Sequence, residues 1–308
     1  MVRRRLLPVA GWLLFCLLFA AAPEALAAAP RVVVSIKPLA GLAAAVMAGI
    51  GQPQLLLPGG SSPHSFALRP SQMRALHHAD LILWIGPELE SFLAKSLRDP
   101  NLRTKTLQLT KLPGINLLPA RKGGSWGEDP DEEHRHGGID PHLWLDPANA
   151  RQLLNALSAR LIQLDPRHAA RYRANAAAEK RKISALQHRL KQQLVPLRQS
   201  PYLVFHDAYQ YFEQAFGLHP LGALAIHPER APGARRIREM RRQIKNRNVR
   251  CVFSEPQFEP RLVATLIEGT GARHGELDPI GAALPDGPDS YLALLQGMAD
   301  NLQACLGQ

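Results

Sequence analysis

Residues 31–49 read Arg31-Val-Val-Val-Ser-Ile36, then Lys37, then Pro38-Leu-Ala-Gly-Leu-Ala-Ala-Ala-Val-Met-Ala-Gly49. The first piece is a short run of β-branched residues and predicts a buried strand. The second opens on Pro, closes on Gly and carries good helix formers between them, which predicts a helix over 38–49. A strand handed straight to a helix is half of a βαβ unit, and such units build parallel sheets. The pattern repeats outward from this stretch. Gln54-Leu-Leu-Leu57 is a second short strand, Ser71 after Pro70 starts a helix through His78, and Leu81-Ile-Leu-Trp-Ile85 is a third strand stopped by Gly86-Pro87. Past residue 200 the alternation resumes with strand Tyr202-Leu-Val-Phe205, a helix over 207–216 ending at Gly217, and a strand within 218–226. An Arg-rich helix over 233–246, strand Cys251-Val-Phe-Ser254, a helix over 260–269 and an extended piece at 274–277 follow.

Between these two runs stand two Asp-Pro helix starts, Asp146-Pro147 and Asp165-Pro166. Asp caps the free amides of the first turn, and Pro suits the first helical position because its missing N–H is not needed there. The second start begins the longest helical stretch, to about Val195. Along it Ile183, Leu186, Leu190, Leu194 and Leu197 form one narrow apolar stripe on a basic helix. Five positions cover barely two heptads, so packing within the chain is expected, not a coiled coil. The expected fold class is α/β: two Rossmann-like βα domains joined by a long connecting helix. The division is residues 28–160, a connector over 161–198, and residues 199–308, and 308 residues suit two domains.

Composition narrows the class further. With 46% hydrophobic and 20% charged residues the chain is not mainly disordered, and 26 Pro and 23 Gly without a period exclude collagen. Arg3, Arg4 and Arg5 precede an apolar run from Leu6 to Ala22, and Ala25-Leu-Ala27 offers a small-residue cleavage site. That arrangement is a secretory signal peptide over 1–27, an uncleaved anchor being the alternative. Removal of 27 residues takes away three Arg, one Glu and Cys16, leaving 281 residues at +9 in place of +11. No other apolar segment is long enough to span a membrane, so a soluble mature protein is expected. Cys251 and Cys305 remain; in an exported chain such a pair suggests a disulfide, with two buried thiols as the alternative.

Three histidines sit beside turn signals at the ends of expected strands. His64 lies in Ser62-Pro-His64-Ser-Phe66, His142 in Asp140-Pro-His142-Leu-Trp-Leu-Asp-Pro147, and His206 closes the Tyr202–Phe205 strand just before Asp207. Asp278, in Leu277-Asp-Pro-Ile-Gly281, ends the last extended piece. Open α/β sheets bind ligands at the carboxyl ends of their strands, so the four are brought toward one inter-domain cleft. Neutral imidazole suits zinc, and three imidazoles with one oxygen donor fill a tetrahedral site. A three-His site with an open position is also the layout of a zinc hydrolase, but no H-E-x-x-H pattern accompanies it. Because imidazole must shed its proton to bind metal, affinity is expected to fall as pH drops through about 6.5.

Five stretches resemble one family in order: Pro63-His-Ser-Phe66 with Leu68-Arg-Pro-Ser71, Asp140-Pro-His-Leu-Trp-Leu145, Phe205-His-Asp-Ala-Tyr-Gln-Tyr-Phe212, Phe253-Ser-Glu-Pro-Gln-Phe258 and Leu277-Asp-Pro-Ile-Gly281. The chain is similar to the periplasmic metal-binding components of ABC importers, in their zinc-binding ZnuA-like group, over nearly its whole mature length. The resemblance implies metal ligation by His64, His142 and His206, with Asp278 the weaker fourth candidate beside water. It implies zinc as the cargo, manganese or iron being the rival reading, since manganese relatives carry Glu at the position of His206. It further implies a permease with its ATPase as partner, approach to the membrane through that permease alone, a monomer, and a linked Cys251–Cys305. Relatives often carry a long His-rich loop before the second ligand. Here 121–138 is a polar acidic loop with only His134 and His136, a solvated loop or a weak secondary metal site. Pro63 stands where some zinc members have an acidic residue.

The remaining signals are read more plainly. Glu255 serves either fold support or ligation, and Trp144 is expected to pack beneath the site. His77, His78, His168, His188, His219, His227 and His274 fit no ligand pattern. Arg230, Arg235, Arg236, Arg238, Arg241, Arg242, Lys245, Arg247 and Arg250 form a basic cluster without interleaved aromatics. Nucleic acid is therefore not expected; a solvated helix face is, with a membrane-surface or permease-docking face next.

Overall fold

Two four-stranded sheets, each wholly parallel, organise the computed structural model, which describes residues 28–121, 138–225, 233–258 and 261–308. The expected signal peptide (1–27), His134, His136, His227 and Arg230 lie outside the described residues. In the first half the elements are β1 Val32–Val34, α1 Lys37–Met47, β2 Gln54–Leu55, α2 Pro70–His78, β3 Leu81–Trp84, α3 Ser91–Ala94, α4 Pro100–Arg103 and β4 Thr106–Gln108. They give the sheet order β2-β1-β3-β4. Then come α5 Pro147–Leu164 and α6 Ala169–Leu194. The second half holds β5 Tyr202–His206, α7 Gln210–Phe216, β6 Gly222–Ala225, α8 Ala234–Asn246, β7 Cys251–Ser254, α9 Arg261–Ile267, β8 Arg273–Glu276 and α10 Ser290–Leu306. Its order, β6-β5-β7-β8, repeats the first. The expected α/β class, with two Rossmann-like βα halves and a long helix between them, is the architecture observed.

Local chemistry sets the element ends. Asp146 caps α5 by accepting from the Ala148 amide at 2.7 Å. Gly217 ends α7 in the left-handed region at φ 71°, where a Cβ is costly. The helix expected from residue 207 begins at Gln210 instead, because the chain first turns after His206, with the Ala208 amide bonded to the His206 carbonyl. Three features escaped the sequence pattern. The strand β4 has one apolar residue in three and lies at a sheet edge, so periodicity barely marks it. The short helices α3 and α4 have four residues each, too few to show a stripe. The third is α10.

The helix α10 belongs to the second half by sequence and packs on the first. Among the described residues it contacts α1 and α6, and Tyr291 Oη donates to the Trp144 carbonyl at 2.8 Å. Gly41 of α1 is where they meet: a Cβ there would stand 2.2 Å from Ser290 Oγ. The stripe Ile183, Leu186, Leu190, Leu194 and Leu197 is buried within the same chain, in one apolar cluster with α1, α5 and α10. A smaller cluster lies on the outer face of the second sheet under α8 and α9. Burial on both faces explains why the central strands β5 and β7 are near-continuously apolar, while the edge strand β8 is not. The described helices include none long and apolar enough to cross a membrane. Cys251 in β7 is joined to Cys305 in α10.

Candidate metal centre

His206 is the last residue of β5. Alternation along that strand sends Leu203 and Phe205 to the outer apolar cluster and Tyr202 and Val204 to the inner one. His206 therefore emerges on the inner side, facing the first half. His142 precedes the short 3-10 turn Leu143–Leu145 that leads into the Asp146 cap. His64 follows Pro63 in the turn between β2 and α2, where its amide donates to Ser62 Oγ at 3.3 Å. Ring nitrogens from the three lie within 4.8 Å of one another, and the ring centroids are 5.2 to 5.7 Å apart.

Two carboxylates fix the tautomers. Asp140 Oδ1 lies 2.7 Å from His142 Nδ1 and also accepts the His142 amide at 3.0 Å. Glu255 Oε1 lies 2.5 Å from His206 Nδ1. A carboxylate acceptor assigns the proton to Nδ1, which leaves each Nε2 with a bare lone pair. Those two Nε2 atoms stand 3.3 Å apart. Two nitrogens on one tetrahedral zinc, about 2.0–2.1 Å from the ion, are themselves about 3.3 Å apart. Converging lone pairs at that spacing repel unless a cation lies between them, so the pair is shaped for a metal.

Burial sharpens the electrostatics. His142 and His206 are each 5% exposed, whereas His64 is half-buried. Desolvation, with His206 adding like charge, holds His142 well below the ordinary imidazole range. Desolvation also acts against the His206 proton, but the Glu255 carboxylate, joined by the charges of Asp207 and Asp140, outweighs it and the net shift is upward. Burial pushes Asp140 up to about 7 against the hydrogen bond from the His142 amide and the charge of Arg121. Trp144 does pack on the site: its ring is 5.3 Å from His142, and its Nε1 donates to the Pro279 carbonyl at 2.7 Å.

Asp278 is engaged elsewhere. It does not belong to the set of ligand atoms within 4.8 Å of one another. Its Oδ1 accepts from Gln257 Nε2 at 2.8 Å and the Ile280 and Gly281 amides at 3.1 and 2.9 Å, and its Oδ2 accepts from the Ala282 amide at 2.5 Å. The carboxylate thus pins the loop that walls the histidine pocket through Pro279 and Ile280. Sequence reasoning passed over Arg121, whose guanidinium lies 2.8 Å from Asp207 Oδ1 and 2.6 Å from Glu213 Oε2. It ties the start of the acidic loop to the residue beside His206. Burial raises Glu213 to about 8 and Asp207 to about 6, opposed in both by the Arg121 charge.

Known proteins share this arrangement of chain. The family described as zinc-uptake complex component A periplasmic, ZnuA, matches residues 32–305. A high-affinity zinc uptake system protein ZnuA from Brucella suis is 41% identical, across 90% of this chain and 92% of its own length. The protein of the same name from Yersinia pestis is 37% identical over 91% and 92%. A crystal structure of ZnuA superposes with a TM-score of 0.74 at 26% identity, covering 89% of this chain and 99% of that one. The match over nearly the whole described length, together with the relatives at this level of identity, establishes that the chain belongs to the ZnuA family.

Proposed function

We propose that this chain is a periplasmic high-affinity zinc-binding protein that captures Zn²⁺ and delivers it to an ABC-type importer, a permease driven by its ATPase. The observation that carries the reading is the pair of Nε2 atoms 3.3 Å apart, each turned inward by a carboxylate on the opposite ring nitrogen. His64, His142 and His206 are the proposed ligands. Asp278, the candidate fourth, reaches the ion only by giving up four hydrogen-bond donors, so in this conformation the fourth position falls to water. Three nitrogen donors favour zinc over manganese, which prefers oxygen.

Capture, not catalysis, is supported by where the carboxylates point. Asp140 and Glu255 are both spent on orienting imidazoles, which takes away the nearest candidates for a general base. Export is implied by the family, and the proposed cleavage follows Ala27. We keep the division into 28–160, 161–198 and 199–308, with α10 laid back across the first half. Competitive titration of the mature protein with zinc and manganese tests the reading, beside His206→Glu. Zinc should outcompete manganese in the wild type, and the variant should narrow the gap. A wild type that prefers manganese refutes the assignment.

A further inference from the structure

The metal site leaves unused the strongest concentration of charge in the molecule. Residues 233–250 hold eight Arg or Lys against one carboxylate, Glu239, which is +7 of the chain's formal +11. Arg235, Arg238, Arg242 and Lys245 recur at steps of three, four and three, so they share one face of α8. All four are exposed, and exposed Arg247 and Arg250 carry the same sign past the helix end. The opposite face is apolar. Met240 and Ile244 are buried over Leu203, Leu224 and Val252, which fixes the basic face outward. No salt bridge among the described residues engages Arg235, Arg238, Arg242, Lys245 or Arg247. Two members at the edges turn aside to carbonyls: Arg241 Nη2 donates to Glu268 at 2.7 Å, and Arg250 Nη1 to Leu306 at 3.4 Å.

We propose that this face docks on the surface of an anionic phospholipid bilayer. It is a row of like charges about 20 Å long, with no aromatic or large apolar side chain within it. A specific protein partner needs buried anchors, which the face lacks. Single-stranded nucleic acid needs stacking rings, also lacking. A plane of lipid phosphates needs neither: its field acts on every basic residue within a Debye length, each worth about fivefold in partitioning. The choice of a bilayer over duplex nucleic acid rests on the export reading above. The contact adds a direct, salt-sensitive hold on the membrane to the approach expected through the permease alone.

Sedimentation of the mature protein with vesicles tests the proposal. The protein should pellet with phosphatidylglycerol-containing vesicles at low salt, stay in solution with pure phosphatidylcholine, and be released at high salt. Arg235→Gln, Arg238→Gln and Arg242→Gln together should weaken partitioning about a hundredfold, while the three Arg→Lys changes keep it. Zinc affinity, measured in parallel, should be unchanged in both variants, which certifies their fold and keeps this outcome separate from the zinc reading. Equal partitioning of the Gln variant and the wild type overturns the proposal. So does equal binding to the two kinds of vesicle, or displacement of anionic vesicles by duplex DNA at equal phosphate.

Discussion

Set side by side, the sheets β2-β1-β3-β4 and β6-β5-β7-β8 are one parallel arrangement used twice, yet they present the proposed ligands by different means. The first half offers His64 and His142 from turns, and the carboxylate behind His142 comes from two residues upstream in the same turn. The second half offers His206 from the strand itself, and the carboxylate behind it stands 49 residues away at the end of the neighbouring strand. One support is local and the other tertiary. The second half is also stapled by Cys251–Cys305, for which the first half has no counterpart. The geometry of the proposed ligands thus depends on turn chemistry in the first half, and on correct sheet assembly in the second.

Four experiments press on that difference. The largest effect is expected from Cys251→Ser with Cys305→Ser. A link across a sequence separation of 54 is worth about 4 kcal/mol in the chain-entropy model. Chemical unfolding should show that loss, while zinc affinity of the folded protein changes little. Next, His206→Ala should lower zinc affinity about 10²–10³-fold, one ligand's share of a total near 10–16 kcal/mol, as read by competition with a chelator. Third, Glu255→Gln and Asp140→Asn should each cost about 10–100-fold in affinity with little change in melting temperature. If Glu255→Gln also unfolds the second half, its carboxylate is a fold element first and an imidazole support second.

The smallest effect concerns buried carboxylates, which the halves again treat differently. Glu213 in the second half has Arg121 beside it. Glu90 in the first has only dipoles: its oxygens accept from the Ile85 and Gly86 amides at 3.1 and 2.9 Å and from Ser35 Oγ at 2.5 Å. Burial lifts its folded-state pKa to about 7, from 4.5. Between those values the folded chain binds more protons than the unfolded one, so this group's contribution to stability declines as pH rises from about 4.5 to about 7. Denaturant unfolding of metal-free protein from pH 5 to 8 should show that decline in the wild type, and a flatter profile in Glu90→Gln.

What could be read from the chain alone follows the same division. The βα alternation, the connector and the three histidines were legible because each is written in contiguous residues: a β-branched run, an Asp-Pro start, a His beside a Pro or at a strand end. Asp140 was within reach, since a carboxylate two residues before His142 is positioned for a side-chain turn. Glu255 was ambiguous because its role exists only once β7 lies beside β5. For Asp278 the residue type and place were legible but not its occupation, which depends on the loop amides of Ile280, Gly281 and Ala282 closing over it. The α10 helix went unread, and its packing on α1 is a long-range fact.

That last helix bears on when the protein becomes competent. Its 17 residues come late in the chain, and they pack on the first half at Gly41 and Trp144 while holding Cys305 against the second half. A polypeptide emerging N-terminus first therefore cannot complete either half until this segment has arrived. Metal loading by a completed site becomes an event that follows the arrival of α10, and a truncation before residue 290 strips packing from the half that was made first.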